Sequence, residues 1–276
     1  MRFPAVAGRF YPSDKDSLIQ EIENCFTHLL GPGLPGNVGK SRTIVGAVAP
    51  HAGYRASGMN AAHVYKGIKE DGLPDAYVII GPDHYGIPYR SAMCSDTYLT
   101  PMGECKIHKG IAERLSKTIQ DDPDVHLYEH SIEVQIPFLQ YIDEDPHIVP
   151  IIMRDQSLEY ARELAAAIRN ACDGYDVIVI ASSDLSHYVK KSKAYADDNE
   201  VLNEIVKMNV PGIYDTITSK KITACGYGPI ATSIMASGAD TAELLKYTDS
   251  EDSLGKSGSG VVGYGSVILE RQNKRL

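Results

Sequence analysis

The stretch VIVIASSDLSHY, residues 177–188, passes from an unbroken apolar, β-branched run into Ser182-Ser183-Asp184 and then His187. A short Val/Ile run of this kind suits a strand covered on both faces, as strands of parallel sheets are. Its polar tail sets a carboxylate and an imidazole just past the strand's carboxyl end, where open α/β sheets bind their ligands. Such a tail either presents chemistry or simply turns the chain.

The segments around it repeat the pattern. TIVGAVAPH (43–51) and DAYVIIGPDH (75–84) are further strands that end near His51 and His84, and HIVPIIM (147–153) is another. MNAAHVYKGIKE (59–70), GIAERLSKTIQ (110–120), SIEVQIPFLQYI (131–142), SLEYARELAAAIRNAC (157–172) and AYADDNEVLNEIVKM (194–208) read as helices, after a first helix near the amino terminus. GPIATSIMASGA (228–239) is a helix with Pro229 near its first turn, where a missing N–H costs nothing. AELLKYTDS (242–250) and GVVGYGSVILE (260–270) look like closing strands.

This alternation predicts a single α/β domain over residues 1–276: a mostly parallel central sheet, helices on both faces, right-handed crossovers. Two Gly-rich segments, 31–41 and 249–260, are expected to be mobile, the second as a surface loop or a lid.

Composition narrows the function classes. The 276 residues are 43% hydrophobic and 23% charged, ordinary for a globular chain with a sizeable core. A formal charge of −9 argues against a nucleic-acid or anionic-membrane footprint. The one basic cluster, Lys190, Lys191 and Lys193, reads as a solvated face. No apolar run is long enough to span a bilayer and no secretory leader is visible, so a cytoplasmic protein is expected. Cys25, Cys94, Cys105, Cys172 and Cys225 lack CxxC spacing and are expected to be free thiols.

Three strand ends coincide at one rim of such a sheet. They carry His51, His84, and Asp184 with His187. Convergent imidazoles with a carboxylate or thiolate are how transition-metal sites are built. Cys225, in ITACGYGPIA, precedes a Gly-containing turn and a helix start, which would lower its thiol pKa. It reads as a metal ligand first and as a nucleophile paired with His187 or His130 second, against the bland reading of a small buried hydrophobe. His130, in EHSIEVQIPFL, has Glu129 and Glu133 beside it to orient or protonate an imidazole, unless these acids only cap the helix. Gly53 would permit a tight exit from the first strand, and Tyr54 either donates into the site or packs. His28, His63, His108, His126 and His147 are read as surface or structural.

PAVAGRFYP (4–12), APHAGY (49–54), GPDHYG (81–86), EHSIEVQIPFL (129–139), SSDLSHY (182–188) and ACGYGPI (224–230) occur in this order along nearly the whole chain. Together they resemble the Memo family, named for a mediator of ErbB2-driven cell motility and including component B of the AmmeMemoRadiSam system. The resemblance implies a fold similar to class III extradiol dioxygenases. It implies metal binding at His51, His84 and Cys225, with Asp184 and His187 in the same pocket. It further implies iron(II) before copper, with zinc behind both, a small-molecule or peptide ligand, and a functional link to a radical-SAM protein.

Extradiol enzymes use two His and one carboxylate. The resemblance puts a softer, oxidisable thiolate, Cys225, in the carboxylate's place. Extradiol cleavage therefore does not follow; what the resemblance implies is a metal-dependent redox or dioxygenase-type reaction, with His187 as general base or hydrogen-bond donor, Asp184 orienting it or a bound water, and His130 assisting. The alternative is a non-enzymatic ligand- or peptide-binding module with a vestigial pocket. A zinc hydrolase is a third reading, without a supporting HExxH.

Overall fold

A computed structural model describes residues 1–255 and 260–272. Its elements begin with α1 (Lys15–Thr27), whose N-cap Asp14 accepts from Ser17 N–H, then β1 (Ile44–Ala49), α2 (Met59–Asp71) and β2 (Ala76–Pro82). Short strands β3 (Ser91–Met93), β4 (Tyr98–Thr100) and β5 (Gly103–Ile107) precede α3 (Lys109–Leu115) and β6 (Gln120–Asp121). Next come α4 (Ile136–Ile142), β7 (His147–Met153), α5 (Leu158–Ala171), β8 (Val177–Ser182) and β9 (His187–Val189). The chain closes with α6 (Lys191–Val206), α7 (Val210–Lys220), α8 (Tyr227–Ser237), β10 (Thr241–Asp249), α9 (Ser250–Leu254) and β11 (Val261–Glu270).

The sheet runs β10-β11-β1-β8-β2-β7-β3-β6. Its centre is parallel: β1 with β8, β8 with β2, and β2 with β7. Both flanks add antiparallel pairs, β1 with β11, β11 with β10, and β3 with β7. The expected α/β domain is thus present as a mixed sheet with a parallel core. β1 and β2 are buried at every position, the pattern of strands covered from both sides. Neighbouring residues of β11 show the two covers: a Cβ on Gly67 of α2 would meet Ile268, whereas Leu269 faces Gly46 beside Ser237 of α8.

Pro150 sits inside β7, where it can donate nothing to a ladder. Its carbonyl faces Cys94 N at 3.3 Å, on the side where β7 changes neighbour from β5, which ends its pairing at Ile148, to β3, which begins at Ile151. The missing N–H falls in that gap, so the strand tolerates it.

Several expectations need adjustment. The 131–142 helix divides into a 3-10 turn at Glu133–Gln135 and α4. Segment 31–41 is tied to α2 rather than loose, through Gly36 N–H to Glu70 Oε1 (2.8 Å), Gly39 N–H to Lys69 O (2.9 Å) and Lys66 Nζ to Pro32 O (2.8 Å). Of the 249–260 segment, Ser250–Leu254 is a helix closed by a capping box between Asp249 and Asp252, and 256–259 lies outside the described residues. Lys191 pairs with Asp249 and Asp252, and Lys193 with Asp197, as a solvated face would. No described helix is long and apolar enough to cross a membrane.

His126 is wholly structural. Its Nε2–H donates to Ala92 O (3.1 Å) while Nδ1 accepts from Tyr98 OH (2.8 Å), which defines a neutral ring. Burial lowers its pKa to about 4. The unfolded chain therefore binds a proton below about pH 6.5 that the folded chain refuses, so stability falls as pH drops from there towards 4. The full effect is about 3 kcal/mol. Urea unfolding across this range should show the decline, with a shallower slope in His126→Gln.

Candidate metal centre

β1, β8 and β2 are adjacent and parallel, with Ala49 level with Ser182 and Ile80 level with Ala181. Their carboxyl ends therefore release His51, Asp184 and His84 at one rim, as such sheets present ligand sites. Cys225 arrives from the α7–α8 connection. Its N–H donates to Asp184 O (3.2 Å), its carbonyl accepts from Gln156 Nε2 (2.8 Å), and Gly226 N–H donates to Ser183 Oγ (2.9 Å). Only glycine fits at 226, because a Cβ there would lie 2.6 Å from Ser182 O. The close approach of this loop to β8 brings the sulfur to the rim.

His51, His84 and Cys225 each place a ligand atom within 4.8 Å of the other two, and Cys225 Sγ lies 3.3 Å from His51 Nε2. Atoms sharing one tetrahedral ion at ordinary bond lengths stand roughly 3.3–3.6 Å apart. The donors therefore need only small adjustments to grip one ion.

Hydrogen bonds decide which nitrogen each ring offers. Ser182 Oγ donates its only proton to Ser131 O (2.6 Å) and accepts from Gln135 Nε2 (2.8 Å), so at 3.0 Å it accepts from His51 Nδ1–H. His51 Nε2 is left with its lone pair towards the sulfur. Gln135 is held in turn by Tyr65 OH on its Oε1 (2.5 Å) and by Pro50 O on its Nε2 (3.0 Å). His84 Nδ1–H donates to Glu129 Oε1 (2.9 Å), whose other oxygen accepts from His84 N–H (2.9 Å), so His84 also offers Nε2. Replacing Ser182 with alanine releases the His51 tautomer, and metal affinity is expected to fall about 10–100-fold, read by competition with a fluorescent chelator.

Electrostatics agree with this assignment at His51. Burial, then His84, lower the His51 pKa to about 3, which keeps its ring neutral. Burial pushes the Glu129 carboxyl up, but the hydrogen bond and charge of His84 and the Ser131 N–H outweigh it and bring it to about 2. For His84 burial is likewise outweighed, by Glu129, and the net shift is upward. Burial, then Asp184, push the Cys225 thiol up, against the lowering expected from a helix start. Desolvation of a thiolate exceeds what one helix terminus provides; a bound cation would reverse the direction.

The motif order, the mixed sheet and this triad of donors all point one way, and residues 2–268 match the family model described as Memo-like protein. The chain belongs to the Memo family. A MEMO1 family protein of Methanosarcina barkeri is 42% identical over 277 residues, covering 98% of this chain and 100% of that one. Another, of Methanothermobacter thermautotrophicus, is 43% identical over 273 residues, covering 96% and 98%. The crystal structure of an uncharacterized protein from Escherichia coli K12 shares the fold, with a TM-score of 0.56, 13% identity and coverage of 82% of this chain and 99% of that one.

Within this Memo-family pocket the other expected residues take distinct places. Asp184 Oδ1 accepts from His51 N–H (2.8 Å), so its carboxylate steadies the His51 main chain. His187 is oriented without it: Nδ1 faces the carbonyls of Leu185 (2.8 Å) and Thr223 (2.9 Å), and His187 stands outside the close donor clusters. His130 stacks on His84 with ring centroids 4.6 Å apart and meets Phe10 edge-on at 4.9 Å. His84, Glu129 and His130 form a second close donor group, in which Glu129 is already committed to His84.

Geometry separates the alternatives that the sequence left open. Cys225 pairs with His51, not with His187 or His130. Glu133 serves no imidazole; it is buried against Arg2, Tyr11 and the N–H groups of Ala5 and Val6. Tyr54 packs, its hydroxyl spent on Val134 O (2.7 Å). Gly53 has an ordinary φ of −57°, and its glycine is explained by the Phe10 backbone, whose O would lie 3.3 Å from a Cβ. The roles of Ser182 and Gln135 have no sequence signal, because a serine and a glutamine far apart in the chain gain them only where the fold joins them.

Proposed function

We propose that this Memo-family chain is a metalloprotein in which His51 Nε2, His84 Nε2 and Cys225 Sγ hold one iron or copper ion and the pocket performs redox or O₂-dependent chemistry on a small ligand. The donor set supports the reading: two imidazoles with their Nδ1 atoms engaged, and one sulfur 3.3 Å from the nearer ring. Such a site supplies a Lewis acid and, with iron or copper, an electron-transfer centre. Zinc would fit the same donors but supplies no redox chemistry.

The remaining residues handle protons and position. His130 is neutral near pH 7, because burial, then His51, lower its pKa to about 4. Its ring faces the rim beside His84, where it can take a proton from a ligand hydroxyl. His187, with its Nδ1 held by two carbonyls, offers Nε2 as a second acceptor. Asp184 keeps the strand end carrying His51 in place.

The deciding experiment is metal analysis after anaerobic purification, with anomalous scattering to identify the ion, followed by O₂ uptake with catechols. About one iron or copper per chain supports the reading. Protein without stoichiometric metal under these conditions sinks it, and ligand binding indifferent to chelators would favour a vestigial binding module.

A further inference from the structure

We infer a second binding feature beside this pocket: a subsite for a carboxylate or phosphate group carried on an apolar body, formed by Arg9 and Arg55. Arg9 and Arg55, both exposed, line a cavity of about 470 Å³ whose walls also include Phe10, Glu21, Gly53 and Leu254. Phe10 is also the residue that meets His130 edge-on, so one side chain separates the cavity from the metal-site rim.

The backbone brings the two arginines together. Tyr54 N–H donates to Phe10 O (2.8 Å), and each arginine is the chain neighbour of one member of that bonded pair. Arg9 rides on a turn closed by Gly8 N–H to Tyr11 O (2.7 Å) and Arg9 N–H to Val6 O (3.0 Å). That turn is fastened by Glu133, which accepts from Ala5 N–H, Val6 N–H and Tyr11 OH. Arg55 lies in the π-helical turn Tyr54–Gly58 that leads into α2. The backbone is therefore fixed at both positions.

Neither guanidinium has a hydrogen-bond or ion-pair partner among the described residues, although the chain carries a net −9. Arg2, Arg42 and Arg90, by contrast, are each matched to carboxylates. Glu21, which also lines the cavity, makes no ion pair with either arginine. Two unpartnered arginines in a cavity that also holds Phe10 and Leu254 match an anionic head on an apolar tail.

The subsite does not depend on metal at His51, and the test keeps the two apart. Benzoate, inorganic phosphate and benzyl alcohol would be titrated into the full-length chain, with binding followed by protein NMR shifts. Benzoate should bind more tightly than the neutral alcohol and than phosphate alone. Arg9→Gln and Arg55→Gln should each weaken it about five-fold, Glu21→Gln should tighten it about three-fold, and added salt should weaken it. A chelator should leave the affinity unchanged. Equal binding of benzoate and benzyl alcohol, no loss in the arginine variants, or no benzoate binding at tens of millimolar overturns the assignment.

Discussion

Cys225→Ser and His51→Ala are each expected to lower metal affinity by 100-fold or more, leaving protein that purifies without stoichiometric ion. Changes to residues that merely orient ligands cost about 10–100-fold, so loss of a ligand sets a larger effect. Serine is shorter than cysteine and its hydroxyl does not ionise near neutral pH, so it replaces neither the reach nor the charge of the sulfur. His51→Ala removes the nearer nitrogen, 3.3 Å from that sulfur, and strands Ser182 Oγ without its ring partner. Glu129→Gln should fall in the lower range, because His84 keeps a neutral acceptor.

Elemental analysis with a chelator competition reads the effect, and circular dichroism confirms the fold. Cys172→Ser serves as a control, being a buried thiol outside both donor clusters. If Cys225→Ser retains metal as wild type does, the sulfur is not a ligand. Because an ion that binds only the folded chain stabilises it, the wild type should also lose thermal stability on chelation while the two variants do not.

Glu133→Ala is expected to destabilise the fold by about 3–5 kcal/mol, a large share of the roughly 5–15 kcal/mol typical of a domain. The side chains of Glu133 and Arg2 are both fully buried and paired. Besides Arg2, the carboxylate accepts from Ala5 N–H (2.8 Å), Val6 N–H (3.0 Å) and Tyr11 OH (2.5 Å). Arg2 also donates to the carbonyls of Phe3 (2.9 Å), His126 (3.1 Å) and Glu129 (2.7 Å).

Removing the carboxylate leaves a buried guanidinium unpaired and frees two backbone N–H groups. Denaturant midpoints measure the loss, and hydrogen exchange should locate it in residues 2–12. The double variant Arg2→Met with Glu133→Leu should cost less than Glu133→Ala alone. Equal midpoints for wild type and Glu133→Ala would show that the pair holds nothing.

Much of this was legible in the chain because the informative signals are local. The Val/Ile runs of β1, β2 and β8 declare buried strands, and each ends on a polar residue that can do chemistry, so a shared rim follows from parallel pairing alone. The His51, His84 and Cys225 donors came together as the family resemblance implied.

What escaped reading was either short or long-range. β3 and β6, three and two residues long, carry too little pattern to separate from loops. α7 opens on Val-Pro-Gly and holds β-branched residues, a poor helical sequence; the cap at Asn209 and Pro211 in the first turn were its only signals. Glu129 and Glu133 are chemically alike and four apart, yet one meets His84 and the other Arg2. That division is set by the amino-terminal segment folding back over α4's approach, which no local window contains.

The orientation of the imidazoles has a kinetic consequence. With Ser182 and Glu129 already facing the inner nitrogens, the outer ones need no ring flips to receive a cation. Uptake would then be paced by how fast an arriving ion sheds its water and by release of the thiol proton. Rapid mixing should accordingly show loading that quickens with rising pH, with no slow conformational phase behind it.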